Sequence, residues 1–322
     1  MASPNSVFTE MVATTLRNHP AEVSDNVAKH NALYRRLRDR GRIQNLDGGY
    51  EIVRPLDYAE NSTYIRYSGY EVLDVGQSDV LSAAKYDWVN AAVHITASGD
   101  ELRKNSGKEQ IIDLVRARLR NGMRTAANNM SVDLYSNGSL SNQIGGLAHM
   151  ITETGKGTVG GIDSNAYPFW DNQFFDTEGT PTSTDIRGFM QNLWLKCVRG
   201  TDQPDLIVST HDLYQVYWSS LTDQQRYTND TKNPSNAGFN ALKFNSCDVI
   251  FDDVATDFAP TGKTMYFLNT DYLELCQHRQ ASWSQMEEKV PVNQDAVVVP
   301  LIWQGNLTCS NRSLQGVLVD LV

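Results

Sequence analysis

The chain has 322 residues, 40% hydrophobic and 20% charged, with 28 Lys and Arg against 38 Asp and Glu for a formal net charge of −10. That length fits one large or two modest domains, and the hydrophobic fraction suffices for a packed core, which excludes a disordered chain. Its 22 Gly and 10 Pro exclude collagen-like and low-complexity sequence.

The longest clean apolar stretch, Ala296 to Trp303, is eight residues with a proline inside, short of the roughly 20 that cross a bilayer. The first residues lack a basic head and a continuous apolar run, so no secretory signal is expected. Cys197, Cys247, Cys276 and Cys309 form no CxxC pair and are too few for a disulfide framework. The expectation is a soluble protein made in a reducing cytoplasm, with no membrane partner.

Charge is unevenly placed. Residues 1–124 hold 17 basic and 16 acidic side chains, whereas residues 125–322 hold 11 and 22. Lys29, Arg35, Arg36, Arg38, Arg40 and Arg42 face one acid, Asp39, and a second basic cluster is Arg116, Arg118, Arg120 and Arg124. Each cluster reads either as a solvated helix face or as a surface for phosphate or an acidic neighbour. A net acidic chain is a poor nucleic-acid binder overall.

In chain order, Val7, Phe8, Met11, Val12 and Leu16 form a helical stripe over 5–17. Positions 23, 27, 30, 34 and 37 predict a second helix with the arginines off its apolar face. These short helices read as an arm that needs a surface to pack on, closed by Gly41 and the Asp47-Gly48-Gly49 turn. Residues 50–98, rich in Tyr, Ile and Val, predict a long β-hairpin or extended loop. A strand follows at 87–96. A two-stranded ribbon is barely stable alone, so it is expected to lie on another surface, in its own subunit or the next. The clearest helix runs from about 107 to 137, opened by a Ser106/Glu109 capping box and stopped by Asn137-Gly138. Its apolar positions are 111, 115, 119, 123, 126, 130 and 134. Such a rod suits a structural spine better than a catalytic pocket.

The remainder reads as α+β. An amphipathic helix is expected at 184–199, a buried strand at 204–210 and a short helix at 211–221. Strands are expected at 244–251, 265–268, 272–276, 297–309 and 314–319.

Catalytic patterns are scarce. Thr261-Gly262-Lys263-Thr264 looks like the end of a phosphate-binding loop, but Asp257 stands where the first glycine is needed, so a hairpin turn is the better reading. His211-Asp212 reads as a helix amino terminus, with no nucleophile identifiable beside it. Asp248, Asp252, Asp253 and Asp257 lack calcium-loop spacing and read as a solvated loop. Cys276 and His278 have no second ligand pair. The six histidines are scattered. By side-chain chemistry this is not an enzyme, and no catalytic residue, cofactor or metal is expected.

Taken together, TVGGIDSNAYPFWDNQ (158–173), DIRGFMQNLWLKCVRGTDQPDLIVST (185–210), GFNALKFNSCDVIFDD (238–253), MYFLNTDYLELCQH (265–278) and IWQGNLTCSNRSLQGVL (302–318) resemble the major capsid proteins of tailed bacteriophages, which have the Hong Kong 97-type fold. The resemblance covers nearly the whole chain in order. It implies an α+β fold with an N-terminal arm at 1–46 and an extended loop at 47–80. A peripheral domain at 81–144 would carry the spine helix (107–137). An axial domain would span 145–270, and strands at 271–322 would return to these domains.

The implied function is a coat protein that self-assembles through hexamers and pentamers into an icosahedral head. The head would enclose double-stranded DNA without sequence-specific binding. Implied partners are a separate scaffolding protein, a portal protein and, in some relatives, a decoration protein; the place is the virion, assembled in the host bacterial cytoplasm. Candidate inter-subunit contacts are Tyr50, Arg54, Tyr58, Tyr64, Arg66, Tyr67 and Tyr70 in the ribbon, with Arg35, Arg36 and Arg38 in the arm. Some relatives join subunits by a lysine–asparagine bond from the extended loop, but no lysine lies between Lys29 and Lys85, so none is expected here. The 46-residue arm is too short for a fused scaffold. Three alternatives stand beside this reading: an encapsulin-type nanocompartment shell, an α/β metal-dependent enzyme using the acidic loop at 248–257, and a DNA-binding protein using the basic arm.

Overall fold

The computed structural model describes residues 32–73, 76–99, 108–221, 242–259, 262–285 and 295–321, with the backbone alone at 108–117 and 285. The expected helix at 5–17, the start of the second helix and the Ser106 cap lie outside the described residues.

The arm ends in helix α1 (Ala32–Asp39), which buries Ala32, Leu33, Tyr34 and Leu37. Gly41 stops it in the left-handed region, φ +67°, where glycine carries no Cβ penalty. Its amide bonds Arg38 O, and the Arg42 amide bonds Leu37 O. Strand β1 (Ile43–Leu46) then adds in parallel to β12 (Leu273–Gln285), Ile43 opposite Leu275 and Leu46 opposite His278. The surface the arm needs is therefore supplied by its own chain.

The spine is α2 (Lys108–Tyr135), 28 residues, about 42 Å long at 1.5 Å per residue. Among the described side chains, Leu119, Met123, Ala126, Met130 and Leu134 are buried, as the four- and three-residue steps predict. Its inner face meets β4 (Val89–Ser98). Gly122 faces the Val93 and Ile95 side chains of that strand, where a Cβ would sit in ordinary contact at 3.5 Å. Strand β4 closes a four-stranded sheet in the order β1-β12-β13-β4, with β13 spanning Ala296–Cys309.

The second sheet has six strands in the order β7-β14-β11-β8-β10-β9. These are β7 (Gln173–Asp176), β8 (Leu206–Ser209), β9 (Leu242–Phe244), β10 (Cys247–Phe251), β11 (Thr264–Leu268) and β14 (Gly316–Val319). Strand β8 is buried at every position, because both sheet faces are covered, and so reads as a continuous apolar run. Ile207 points into a cluster with helices α4 (Ile186–Lys196) and α5 (His211–Ser220), where Ile186, Met190, Leu193 and Tyr217 pack on Val249, Phe267 and Leu318. Leu206 and Val208 point the other way, into the core shared with α2 and the four-stranded sheet.

Several expectations need correction. The strand expected at 244–251 is a tight hairpin, β9 and β10, with Asn245 at φ +50° in the turn. Residues 262–264 are no hairpin turn: β10 and β11 both pair with β8, which lies between them. The strand expected at 272–276 runs on to 285, with register shifts between Gln277 and Ser284. Arg312–Leu314 forms a short 3-10 turn before β14.

Candidate assembly surface

The ribbon is rooted in a two-stranded sheet of β2 (Ile52–Asp57) and β3 (Leu81–Tyr86). Period-two alternation buries Ile52, Leu56, Ala84 and Tyr86 on one face. The Tyr86 hydroxyl donates to Cys309 O at 2.8 Å and accepts from the Cys309 amide at 3.2 Å. Burial and the adjacent Cys309 thiol push its pKa well up, opposed by its bond to the Cys309 backbone and by Arg312 and Arg54, so it stays a neutral hydroxyl. The Lys85 amide bonds Gly160 O at 2.9 Å, tying β3 to the small hairpin of β5 (Thr158–Val159) and β6 (Ile162–Asp163).

Beyond Tyr58 the ladder ends. Residues 61–73 are turns and irregular chain rather than the strand pieces expected there. The two flanks approach at Ser62 and Ser78, and the tip is a turn in which the Ser68 amide bonds Glu71 Oε2 at 3.0 Å. Among the described residues no second layer covers either face here, and a bare ribbon has nothing to hold a longer ladder. Tyr64, Tyr67 and Tyr70 are 77%, 63% and 105% exposed, with Val72 at 93%. Tyr50 stands free of the protein surface at 95%. Arg66, exposed among these rings, makes no hydrogen bond or ion pair among the described residues.

Four of the other expected contact residues are engaged inside the subunit. Arg54 forms an ion pair with Glu274 and bonds Gln44 Oε1 at 3.2 Å, Thr308 Oγ1 at 3.2 Å and Cys276 Sγ at 2.8 Å. It points inward because residues alternate along β2 and the acid of β12 lies beneath it, so it locks the ribbon root to the four-stranded sheet. Tyr58 lies half-buried against Phe169, ring centroids 5.6 Å apart, and hydrogen-bonds Asp79. Arg36 reaches Asp248 at 2.9 Å, pinning the arm to the six-stranded sheet. Arg35 stands 3.8 Å from Asp39, one helical turn on, and Arg38 is exposed beside Tyr34. The arm arginines are thus shared between internal ties and solvent.

The motifs weighed for chemistry are structural here. Asp248 is the partner of Arg36. Asp252 accepts the Tyr135 hydroxyl at 2.9 Å and caps the Val254 amide. Lys263 reaches Asp320 at 3.2 Å. His211 and Asp212 are exposed in the first turn of α5. Cys197, Cys247 and Cys309 are buried, which pushes each thiol up to about 12, away from the reactive thiolate. Among the described residues no group of three or more His, Cys, Asp or Glu is placed to hold a metal, and no helix is long and apolar enough to cross a membrane.

Sequence reasoning passed over two features. Arg312 is fully buried, and among the described residues no carboxylate is hydrogen-bonded to it, Asp171 acting on it only through space. Its guanidinium donates to Met150 O at 2.7 Å, Trp170 O at 3.1 Å and Asn172 Oδ1 at 2.8 Å, and burial lowers its pKa. It stitches the 150–172 segment onto the base of β14. A lone arginine among polar residues (Ser310, Asn311, Ser313 and Gln315) reads as a surface turn and carries no sequence signal of this role. The second feature is an aromatic cleft at the ribbon root, where Tyr58, Tyr167 and Phe169 meet. The Tyr-Pro-Phe-Trp run at 167–170 was its visible sign.

No family model matches the chain, and no curated protein matches it. Solved structures do match, along nearly the whole length. A subunit of the cyanophage A-1(L) capsid asymmetric unit aligns with TM-score 0.64 at 14% identity, over 87% of this chain and 90% of that one. A chain of Mycobacterium phage Adephagia aligns with TM-score 0.53 at 13% identity over 88% and 89%. The SrpI encapsulin of Synechococcus elongatus PCC 7942 aligns with TM-score 0.51 at 10% identity over 89% and 88%. The fold is the Hong Kong 97-type fold. Phage capsids and an encapsulin are among the solved structures that share this fold.

Proposed function

We propose that this chain is the major capsid protein of a tailed phage, self-assembling into the icosahedral head that encloses double-stranded DNA. The observation that carries the reading is a fold of shell-forming chains combined with a ribbon whose aromatic tip is unburied in its own subunit. Tyr-rich patches rimmed by charge are interface material, and apolar area left open on a lone subunit marks a contact. In these terms residues 1–46 are the arm and 47–80 the extended loop. Residues 81–144 form the peripheral domain around α2, 145–270 most of the axial domain, and 271–322 the returning strands. The role is structural rather than catalytic.

The partners that fit are further copies in hexamers and pentamers, a separate scaffolding protein, a portal protein and a decoration protein. The place is the virion, after assembly in the host cytoplasm. The net charge of −10 suits a container that encloses DNA without gripping it. Expression of the full chain followed by sedimentation and electron microscopy tests the reading: closed particles of uniform diameter are expected. A chain that stays monomeric at every concentration and salt, with and without its scaffold, refutes it.

The encapsulin alignment favours a second reading, a nanocompartment shell. Particles that copurify with a cargo enzyme rather than accept a portal would decide for it.

A further inference from the structure

Part of the second basic cluster is left over by the fold. Helix α2 turns Leu119, Met123, Ala126, Met130 and Leu134 inward. At 3.6 residues per turn the opposite face carries Arg120, Asn121, Arg124, Thr125, Asn128 and Asn129, all exposed. Arg118 is turned aside, its guanidinium donating to Thr96 O of β4. Arg120 and Arg124 stand one helical turn apart, about 6 Å along the axis, and make no hydrogen bond or ion pair among the described residues. Among the described side chains of α2 the acid is Asp133, which lies more than two turns on and accepts from Gln143 Nε2 at 3.2 Å. Like charges at i and i+4 repel. In the lone subunit the arginine pair is therefore unfavourable, and an anion lying across it would relieve the repulsion.

What the face lacks narrows the class of anion. No large apolar side chain of α2 is exposed among the described residues, whereas protein–protein contacts are anchored by aromatic or apolar groups in a dry centre. Arginine with asparagine and threonine is instead a set that meets phosphate oxygens without reading bases. Thr125 and Asn129 donate back along the helix, to Asn121 O at 3.0 Å and Thr125 O at 2.9 Å. The two guanidiniums and the amides of Asn121 and Asn128 are left as donors open to solvent. We propose that this face of α2 is a contact for the phosphate backbone of duplex DNA, indifferent to sequence and weak in each copy. This rests on the shell reading and names the surface through which the wall meets the enclosed duplex. With a net charge of −10 the chain as a whole repels a polyanion, so a single copy holds it feebly. Many copies around one closed space multiply the contact through effective concentration.

The test is the fluorescence anisotropy of a fluorescein-labelled, mixed-sequence duplex titrated with the full chain over a series of salt concentrations. Arg120→Gln and Arg124→Gln are made singly and together, with a double lysine variant at the same positions. Arg187→Gln, at an exposed arginine of α4, is the control. Each phosphate contact contributes about 0.9 to the slope of log K against log salt. The double glutamine variant is therefore expected to flatten the slope by about two, each single by about one, and the double to bind about tenfold or more weakly at low salt. The lysine pair is expected to keep the slope, and the control to match the wild type. Both arginines are exposed, so the variants are expected to keep the wild-type circular dichroism and melting temperature; the singles serve if the double disturbs folding. A double variant with the wild-type slope, or a wild type that binds no duplex at any salt, would overturn the contact. Polyglutamate that displaces the labelled duplex better than unlabelled duplex of equal charge would assign the face to an acidic protein and overturn it too. Closed particles seen by electron microscopy in those cases would leave the shell reading standing. A chain that binds the duplex through α2 but forms no particle would sink the shell reading and keep the contact.

Discussion

Replacing Arg312 with methionine tests whether the buried guanidinium organises the 150–172 segment. The substitution keeps most of the side-chain volume and removes three hydrogen bonds of 2.7–3.1 Å to Met150 O, Trp170 O and Asn172 Oδ1. Each acceptor left dry and unpaired costs about 1–3 kcal/mol, and hydrogen bonds from a charged donor lie at the upper end. Against this stands the relief of no longer burying a cation, which is several kcal/mol in an interior without a paired carboxylate. Because Met150 O and Trp170 O are stranded at once, whereas Asn172 Oδ1 keeps the Thr152 amide and hydroxyl, the net is expected to be a loss of about 3 kcal/mol. Arg312→Lys is expected to lose about 2–3 kcal/mol, since an ammonium cannot span the fork of acceptors. Thermal and urea unfolding of the unassembled chain measures both. A methionine variant within about 1 kcal/mol of wild type, or one less costly than lysine, would refute the organising role.

Four further outcomes are expected. Arg54→Met is expected to cost about 2–3 kcal/mol, and its double-mutant cycle with Glu274→Gln to show about 1–2 kcal/mol of coupling by urea unfolding; coupling under about 0.5 kcal/mol would remove the root tie from the account. Burial pushes the pKa values of Asp252, Asp133 and Glu153 up. The folded state therefore holds protons that the unfolded state has released, and stability falls as pH rises through the folded-state values. Asp252→Asn is expected to flatten that fall and raise the melting temperature at neutral pH, and a lower melting temperature there would contradict it. Gly305→Ala is expected to cost about 1–3 kcal/mol by overpacking, because a Cβ would stand 2.2 Å from Cys276 O and 2.7 Å from the Trp303 ring; an unchanged unfolding midpoint would show that the β12–β13 pair yields there. Mature particles are expected to run as a single subunit band on a denaturing gel, since no lysine lies between Lys29 and Lys85, and a ladder of covalent multimers would contradict this.

Elements with a strong period were legible in the sequence. The stepping of Leu119, Met123, Ala126, Met130 and Leu134 located α2, and the unbroken Leu-Ile-Val run at 206–208 located a strand covered on both faces. What the sequence hid was pairing at long range. Nothing local says that β8 separates β10 from β11, or that β1 lies parallel to β12, so from sequence alone Thr261-Gly262-Lys263-Thr264 reads as a hairpin turn. The ribbon shows the same limit. Its tyrosines announced a surface feature, and the exposure of Tyr64, Tyr67 and Tyr70 agrees. Arg54 and Tyr58 belong to the same tract but sit where β2 still packs, and their partners Glu274 and Phe169 are more than a hundred residues away. Which side of the root a residue falls on is set by tertiary contact, not by composition.

The insertion of β14 between β7 and β11 bears on how the subunit matures from the ribosome. Among the described residues β7 has no other neighbour in its sheet, and Gly316 to Val319 pair with Gln173 to Asp176 across some 140 intervening residues. Until Gly316–Val319 has been synthesised, β7 and one side of β11 are bare edges, open to mispairing with another nascent chain. Chains dominated by such remote pairings reach the native state slowly. On the proposed shell function, a slow final insertion would set the moment at which a copy becomes competent to join others.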